Sequence, residues 1–305
     1  MSAILVMIEN RVLLSKIVSI FDKTNIKYTT NKESNYKYLL VAELNQRIVK
    51  LINEMTEKNK KVIFLAFLEE YKIQKYYNSN SVKANEYKQL LFSILNKCHL
   101  VITSLPFFKD YLEKQINTKV IVIEKANPRL PDLKKTKPIQ NTCLIIDYDY
   151  TEIINVFDMA IKYPKIKFQV LGYRPEHMLS QKQIGIIKNL PENVELIKYC
   201  DFVDFLSLIK RNSIIVYCDD DNRNYHYLLY IILNRKKLLI KNSVIYDNYF
   251  INSKNMYLYK DSKEFNLRLK KIINGTVANL SNEAFLLIKD NRLEKMGKQL
   301  KKIIK

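Results

Sequence analysis

Three stretches of this chain concentrate side chains that could do chemistry. The first is Asp219-Asp220-Asp221, followed closely by Arg223 and His226. A guanidinium at the start of a helix suits an anion such as phosphate, because the helix end and the fork of N–H donors favour the same charge. The clustered Asp could hold a polar ligand or a metal, and equally could form a solvated turn that caps the next helix. His226, in the first predicted turn of that helix, has a packing or surface explanation beside a chemical one. The second stretch is Glu69-Glu70, after an apolar run. Glu69 is a candidate general base, although a carboxylate at a helix N-terminus is favourable with no catalytic role. The third is Asp147-Tyr148-Asp149-Tyr150, whose two carboxylates would repel an anionic ligand.

These stretches fall at the ends of elements whose pattern is regular. Apolar runs alternate with amphipathic stretches along the whole chain, which predicts βαβ units around parallel sheets and an α/β fold. In the first half we read strands at Ser2–Ile8, Tyr38–Ala42, Lys61–Leu68, Leu100–Thr103 and Lys119–Ile123. The helices between them are Arg11–Lys23, Gln46–Lys58, Ala84–Asn96 and Pro106–Gln115. Pro106 is well placed to open its helix, since a first-turn proline gives up no needed donor. The second half gives strands at Thr142–Asp147, Lys167–Leu171, Val194–Lys198, Ser213–Cys218, Lys237–Ile240 and Met256–Tyr259. Its helices are Thr151–Lys162, Ser180–Lys188, Asp201–Lys210, Tyr225–Leu233 and Lys263–Ile273, with a final basic helix over Asn282–Ile304.

Between the halves, Pro128, Pro131 and Pro138 stand among lysines and disfavour both helix and strand. This divides the chain into a first domain over 1–127, a linker over 128–140, a second domain over 141–280 and a basic C-terminal helix over 281–305 that could pack back on the first domain. A length of 305 residues suits two domains of ordinary size. Apolar runs such as Val62–Leu68 are far shorter than the ~20 residues that cross a bilayer. Met1–Ile8 reads as a strand rather than a leader, so a cytoplasmic location is expected. Cys98, Cys143, Cys200 and Cys218 are scattered without a CxxC pair and read as reduced core thiols, with no zinc site. The net charge of +20 admits an anionic partner, either a membrane surface bound peripherally or nucleic acid. AT-rich codon usage accounts for the many lysines, but not for so few compensating acids.

Several segments taken in order resemble the GT-B glycosyltransferases. Cys98-His-Leu-Val-Ile-Thr-Ser-Leu-Pro-Phe-Phe, followed by Lys119-Val-Ile-Val-Ile-Glu, is similar to the end of their acceptor domain. Lys167-Phe-Gln-Val-Leu-Gly-Tyr-Arg resembles a strand ending in glycine, and Leu190-Pro-Glu-Asn-Val-Glu-Leu-Ile-Lys-Tyr the segment that clamps the nucleotide base. Asp204-Phe-Leu through Val216-Tyr-Cys, Asn234-Arg-Lys-Lys-Leu-Leu-Ile and Asn255-Met-Tyr-Leu-Tyr-Lys-Asp follow in the family's order. The resemblance implies two Rossmann-like domains facing each other across a cleft.

It also implies a divergent, hexosyl-type glycosyltransferase that moves a sugar from a nucleotide-sugar to an unidentified acceptor. Gly172, Tyr173, Arg174, Tyr199, Asp221 and Arg223 would then bind the donor, and Glu69, Asp220 or His226 would be catalytic candidates. No cofactor or resident metal follows, and a divalent requirement stays open. Anchoring the family's paired Glu on Leu238-Leu239-Ile240 places Arg223 and Ile231 where those acids belong. The loss suggests an alternative: an inactive GT-B-like subunit that stabilises or directs a partner transferase, or a homodimer. A third reading is a nucleic-acid-binding or DNA-modifying protein, supported by Tyr interleaved with Lys, as in Tyr71-Lys-Ile-Gln-Lys-Tyr-Tyr, but by no recognisable binding motif.

Overall fold

The structure is a computed structural model, and it describes residues 3–124, 139–172, 174–198, 200–219, 224–246, 249–290 and 293–304. The chain divides into two compact units. The first comprises Met1–Ala126, Val244–Tyr249 and Asp290–Lys305, and the second Asn127–Ser243 and Phe250–Lys289.

In the first unit the elements run β1 (Ala3–Met7), α1 (Arg11–Thr24), β2 (Tyr28–Thr29), β3 (Tyr36–Val41), α2 (Gln46–Glu57) and β4 (Lys61–Leu65). They continue with α3 (Glu70–Tyr76), α4 (Val82–Leu95), β5 (Leu100–Thr103), α5 (Pro106–Glu113) and β6 (Val120–Val122). The sheet has the order β2-β1-β3-β4-β5-β6, and every pairing is parallel. A parallel sheet covered on both faces needs strands that are apolar throughout, and β4 and β5 are buried along almost their whole length. Side-chain caps set several helix starts: Asn10, Asn45 and Ser81 each accept a backbone N–H from the first turn. Ser81 starts α4 two residues before the expected Ala84. The run read as strand to Leu68 ends at Leu65, and Ala66–Leu68 forms a 3-10 turn leading into α3, which sequence reading missed.

In the second unit the order of elements is β7 (Ile139–Ile146), α6 (Ile153–Lys162), β8 (Lys167–Leu171), α7 (Gln181–Lys188), β9 (Val194–Ile197) and α8 (Phe202–Arg211). There follow β10 (Asn212–Tyr217), α9 (Tyr225–Leu233), β11 (Lys237–Lys241), β12 (Tyr257–Tyr259), α10 (Ser262–Ile273) and α11 (Ser281–Ile288). The all-parallel sheet β12-β11-β10-β7-β8-β9 is the Rossmann order, reversing direction between β7 and β10. Its core packs Val156 and Met159 of α6 and Phe265 and Leu269 of α10 against Cys143, Ile145, Val170 and Val216 of the sheet.

The single helix expected over Asn282–Ile304 is two. α11 stays in the second unit, where Arg235 lies over the Phe285 ring at 3.9 Å. The other, α12 (Leu293–Ile304), packs on α1 in the first unit, with Met296 and Leu300 in a core that includes Ile17, Ile20 and Phe21. α11 ends at Ile288, and the turn at Lys289-Asp290 follows it, Asp favouring turns over helix interiors. Of the expected linker, residues 128–138 lie outside the described residues, and 139 and 140 already belong to β7. Three of the four cysteines are buried, while Cys200 is only half-buried. Among the described residues no helix is long and apolar enough to cross a membrane.

Candidate functional site

Open α/β sheets bind ligands beyond the carboxyl ends of their strands, at the point where the strand order reverses. In the second unit that point lies past Ile146 of β7 and Tyr217 of β10. The chain leaves β7 at Asp147, which is 2% exposed, and turns sharply into α6. Tyr150 makes the turn with a left-handed backbone (φ 54°), uncommon for a bulky residue. Its buried ring lies against Gly172, and its hydroxyl donates to the Gly172 carbonyl at 2.9 Å.

The turn aims the Asp147 carboxylate at the start of α6. Oδ1 accepts from the Thr151 N–H at 2.9 Å and the Thr151 hydroxyl at 3.0 Å, and Oδ2 from the Glu152 N–H at 2.7 Å. Burial pushes the Asp147 carboxyl up to about 6; the three donated hydrogen bonds pull it back down, and the Glu152 charge raises it. Around it lies a polar cluster drawn from neighbouring strand ends. Glu152 accepts from the Asn155 amide at 2.6 Å and faces Lys241 Nζ at 3.7 Å, while Asn155 also donates to Ser262 at 3.1 Å. The buried Cys218 thiol is held well above its ordinary range by burial first and by Asp147 second. Nearby, the buried Tyr259 hydroxyl lies against the Cys218 thiol and is raised by burial first and by Cys218 second. Among the described residues no group of three His, Cys, Asp or Glu is placed to hold a metal ion.

Of the donor-binding residues expected from sequence, the structure gathers Gly172 and Arg174 around this loop. The Arg174 N–H donates to the Tyr148 carbonyl at 3.1 Å, and its guanidinium faces Asp149 at 3.7 Å. Gly172 does allow a close approach, but the group that approaches is Tyr150. Tyr173, Tyr199, Asp220, Asp221 and Arg223 lie outside the described residues. His226 is exposed in the first turn of α9, its ring 4.0 Å from that of Tyr227.

Glu69 belongs to the first unit, where it is 3% exposed and fully engaged. One oxygen accepts from the Leu44 N–H at 3.0 Å, and the other from the Tyr87 hydroxyl at 2.8 Å and from Lys72 at 3.1 Å. Burial and this carboxylate both raise the Tyr87 hydroxyl. Glu70, fully buried, takes both the N–H and the hydroxyl of Ser104. A base needs a lone pair facing its substrate. These two glutamates instead spend theirs tying α3 to the loops after β3 and β5.

Sequence reading also missed Glu152, Asn155, Lys241 and Tyr259. Each is an ordinary residue at an element end, and only the strand order brings them together.

No family model matches the chain, and no curated protein matches it. Solved structures do. A glycosyltransferase from Rickettsia africae is 12% identical, with 99% of this chain and 97% of that one covered at a TM-score of 0.66. WaaG, a glycosyltransferase involved in lipopolysaccharide biosynthesis, is 10% identical, with 99% of each covered at 0.58. The glycosylation-associated Gap123 complex of Streptococcus agalactiae is 13% identical, with 88% of this chain but only 53% of that chain covered at 0.57. The chain therefore has the GT-B fold of glycosyltransferases, two Rossmann-like α/β units with parallel sheets, and departs from that family where its donor motifs stand.

Proposed function

We propose that this chain serves glycosyl transfer as a GT-B-like subunit that does not itself hold a nucleotide-sugar, and that it works by stabilising or directing a partner transferase. One observation carries the reading. At the start of α6, the Thr151 and Glu152 N–H groups that could meet a diphosphate are already bonded to the buried Asp147 carboxylate. An incoming diphosphate would have to displace a negative charge held on three hydrogen bonds, and would meet Glu152 and Asp149 beside it. Arg223 and Ile231, standing where the family's acids belong, favour the same reading. So does the likeness to a chain from a glycosylation-associated complex.

Isothermal titration against UDP-, GDP- and ADP-linked sugars tests it. The expected result is no heat with any donor, and saturable binding of one of them overturns it.

A second reading, a divergent transferase that moves a hexose from a nucleotide-sugar, draws on Arg174. Its guanidinium side chain is 39% exposed next to Gly172 and could meet a phosphate from the solvent side. Under that reading the same titration gives saturable heat that Arg174→Gln removes. The +20 charge supports an anionic membrane surface as the place of action. Sedimentation with anionic but not neutral vesicles is the expected outcome there.

A further inference from the structure

At the opposite end of the second unit's sheet, near the start of β12, lies a cavity of about 210 Å³ that the donor argument does not touch. It is lined by Ser253, Tyr257, Arg268, Lys271, Val277 and Ala278, which come from the turn before β12, from α10 and from the segment after it. Arg268 and Lys271 sit three residues apart on α10 and so share one face of the helix. Arg268 donates from Nη1 to the Ser253 hydroxyl at 3.2 Å, which fixes the guanidinium plane, yet its Nε is buried with no hydrogen-bond partner. Nε has almost no accessible surface, so it is the remaining Arg268 atoms that line the hollow and would meet an occupant.

The surroundings point to what that occupant is. Among the described residues, no carboxylate lies within ion-pair distance of Arg268 or Lys271. The charge of Glu283 reaches Tyr257, opposing that of Arg268, but Glu283 does not pair with either cation. The Tyr257 hydroxyl is turned away from an incoming acceptor, because it already donates to the Ala278 carbonyl at 3.0 Å. Two cations, the Arg268 guanidinium and the Lys271 ammonium, and the Ser253 hydroxyl therefore line a hollow with a small apolar wall at Val277 and Ala278.

We propose that this cavity is a binding site for the phosphate group of a small phosphorylated molecule. Arg268 supplies a charged guanidinium at the wall, Lys271 the second charge, and Val277 with Ala278 the contact for the non-phosphate part. A guanidinium fork matches phosphate geometry, and the concave site admits a small molecule rather than a bilayer surface. The inference is independent of the donor-site reading, since no residue is shared.

The test follows the Arg268 Nε–H resonance of the full chain during titration with inorganic phosphate, with chloride at matched ionic strength as control. A saturable shift with phosphate alone is expected. Arg268→Gln should weaken phosphate binding about tenfold or more and Lys271→Gln about threefold, charge-assisted bonds being the strong ones. Parallel arms use glycerol phosphate and phosphatidylglycerol vesicles; binding of glycerol phosphate at least as tight as that of phosphate supports a small phosphorylated ligand and leaves the nucleotide-sugar titration a separate test. A linear shift, an equal response to chloride, binding unchanged in Arg268→Gln, or preference for vesicles over free phosphate overturns the proposal.

Discussion

Beyond the strand ends of the first unit, carboxylates reach across to other loops. Glu43, after β3, accepts from the N–H of Asn10 after β1 at 2.7 Å; Glu69 grips Leu44, and Glu70 grips Ser104. Beyond the strand ends of the second unit, Asp147 reaches only the residues four and five positions further along its own loop. Both arrangements satisfy backbone donors, but with different consequences. Bonds between distant loops tie the elements together, while α1, α2 and α4 keep caps of their own. A bond within one βα loop places a carboxylate just before the helix end, which is where an α/β fold otherwise receives an anion. The comparison teaches that carboxylates beyond the strand ends of two similar sheets can tie distant loops together in one unit and stay within a single loop in the other.

The largest expected effect tests the bracing. Replacing Glu70 by Ala strands the Ser104 N–H and hydroxyl in a fully buried site and opens a cavity. We expect a loss of about 3 to 5 kcal/mol, read as a lower urea midpoint together with faster hydrogen exchange at the Ser104 amide. Retained protection there would mean the loops are braced by something else.

Next is Asp147→Asn, which tests the closure through its pH dependence. A carboxyl raised from 3.8 to about 6 binds more protons folded than unfolded between those values. Its contribution to stability is therefore full below pH 4 and is lost as pH rises through about 6. At 1.36 kcal/mol per unit, the wild type should lose about 3 kcal/mol relative to the variant between pH 3.5 and 7. A flat difference would mean that Asp147 sits in water and the end of α6 is open. Gly172→Ala follows: its new Cβ would lie 2.9 Å from the Asp147 carbonyl and press into the Tyr150 ring. The expected cost is about 1 to 3 kcal/mol, partly relieved in a Gly172→Ala/Tyr150→Ala double mutant if the ring is what fills the space.

Much of the fold was legible because each strand is a short apolar run bounded by turn residues, as at Leu100–Thr103, and because caps such as Asp201 and Asp261 sit where their helices begin. β2, with two residues, is too short to carry any period. α3 was hidden because the apolar run Val62–Leu68 passes from strand into turn without a polar break. The site was harder to read. Two acids after β7 were readable as hostile to a diphosphate, but the loop bonds that Asp147 makes accompany a left-handed Tyr150, which nothing in its residue type announces. Glu69 looked like a base because its partners, Leu44 and Tyr87, are remote in sequence.

The smallest expected effect asks how self-contained the second unit's cluster is. Lys241 is 28% exposed and faces Glu152 at 3.7 Å, a loose pair, while Glu152 is otherwise held by Asn155. Partly exposed ion pairs contribute little, so Lys241→Met should cost about 0.5 to 1 kcal/mol and leave the titration of Asp147 near 6. If Lys241→Met instead raised the Asp147 carboxyl further and cost several kcal/mol, the cluster would depend on a charge from a different strand. The second unit would then be braced across loops as the first is, and Asp147 alone would no longer carry the proposal that this chain holds no nucleotide-sugar.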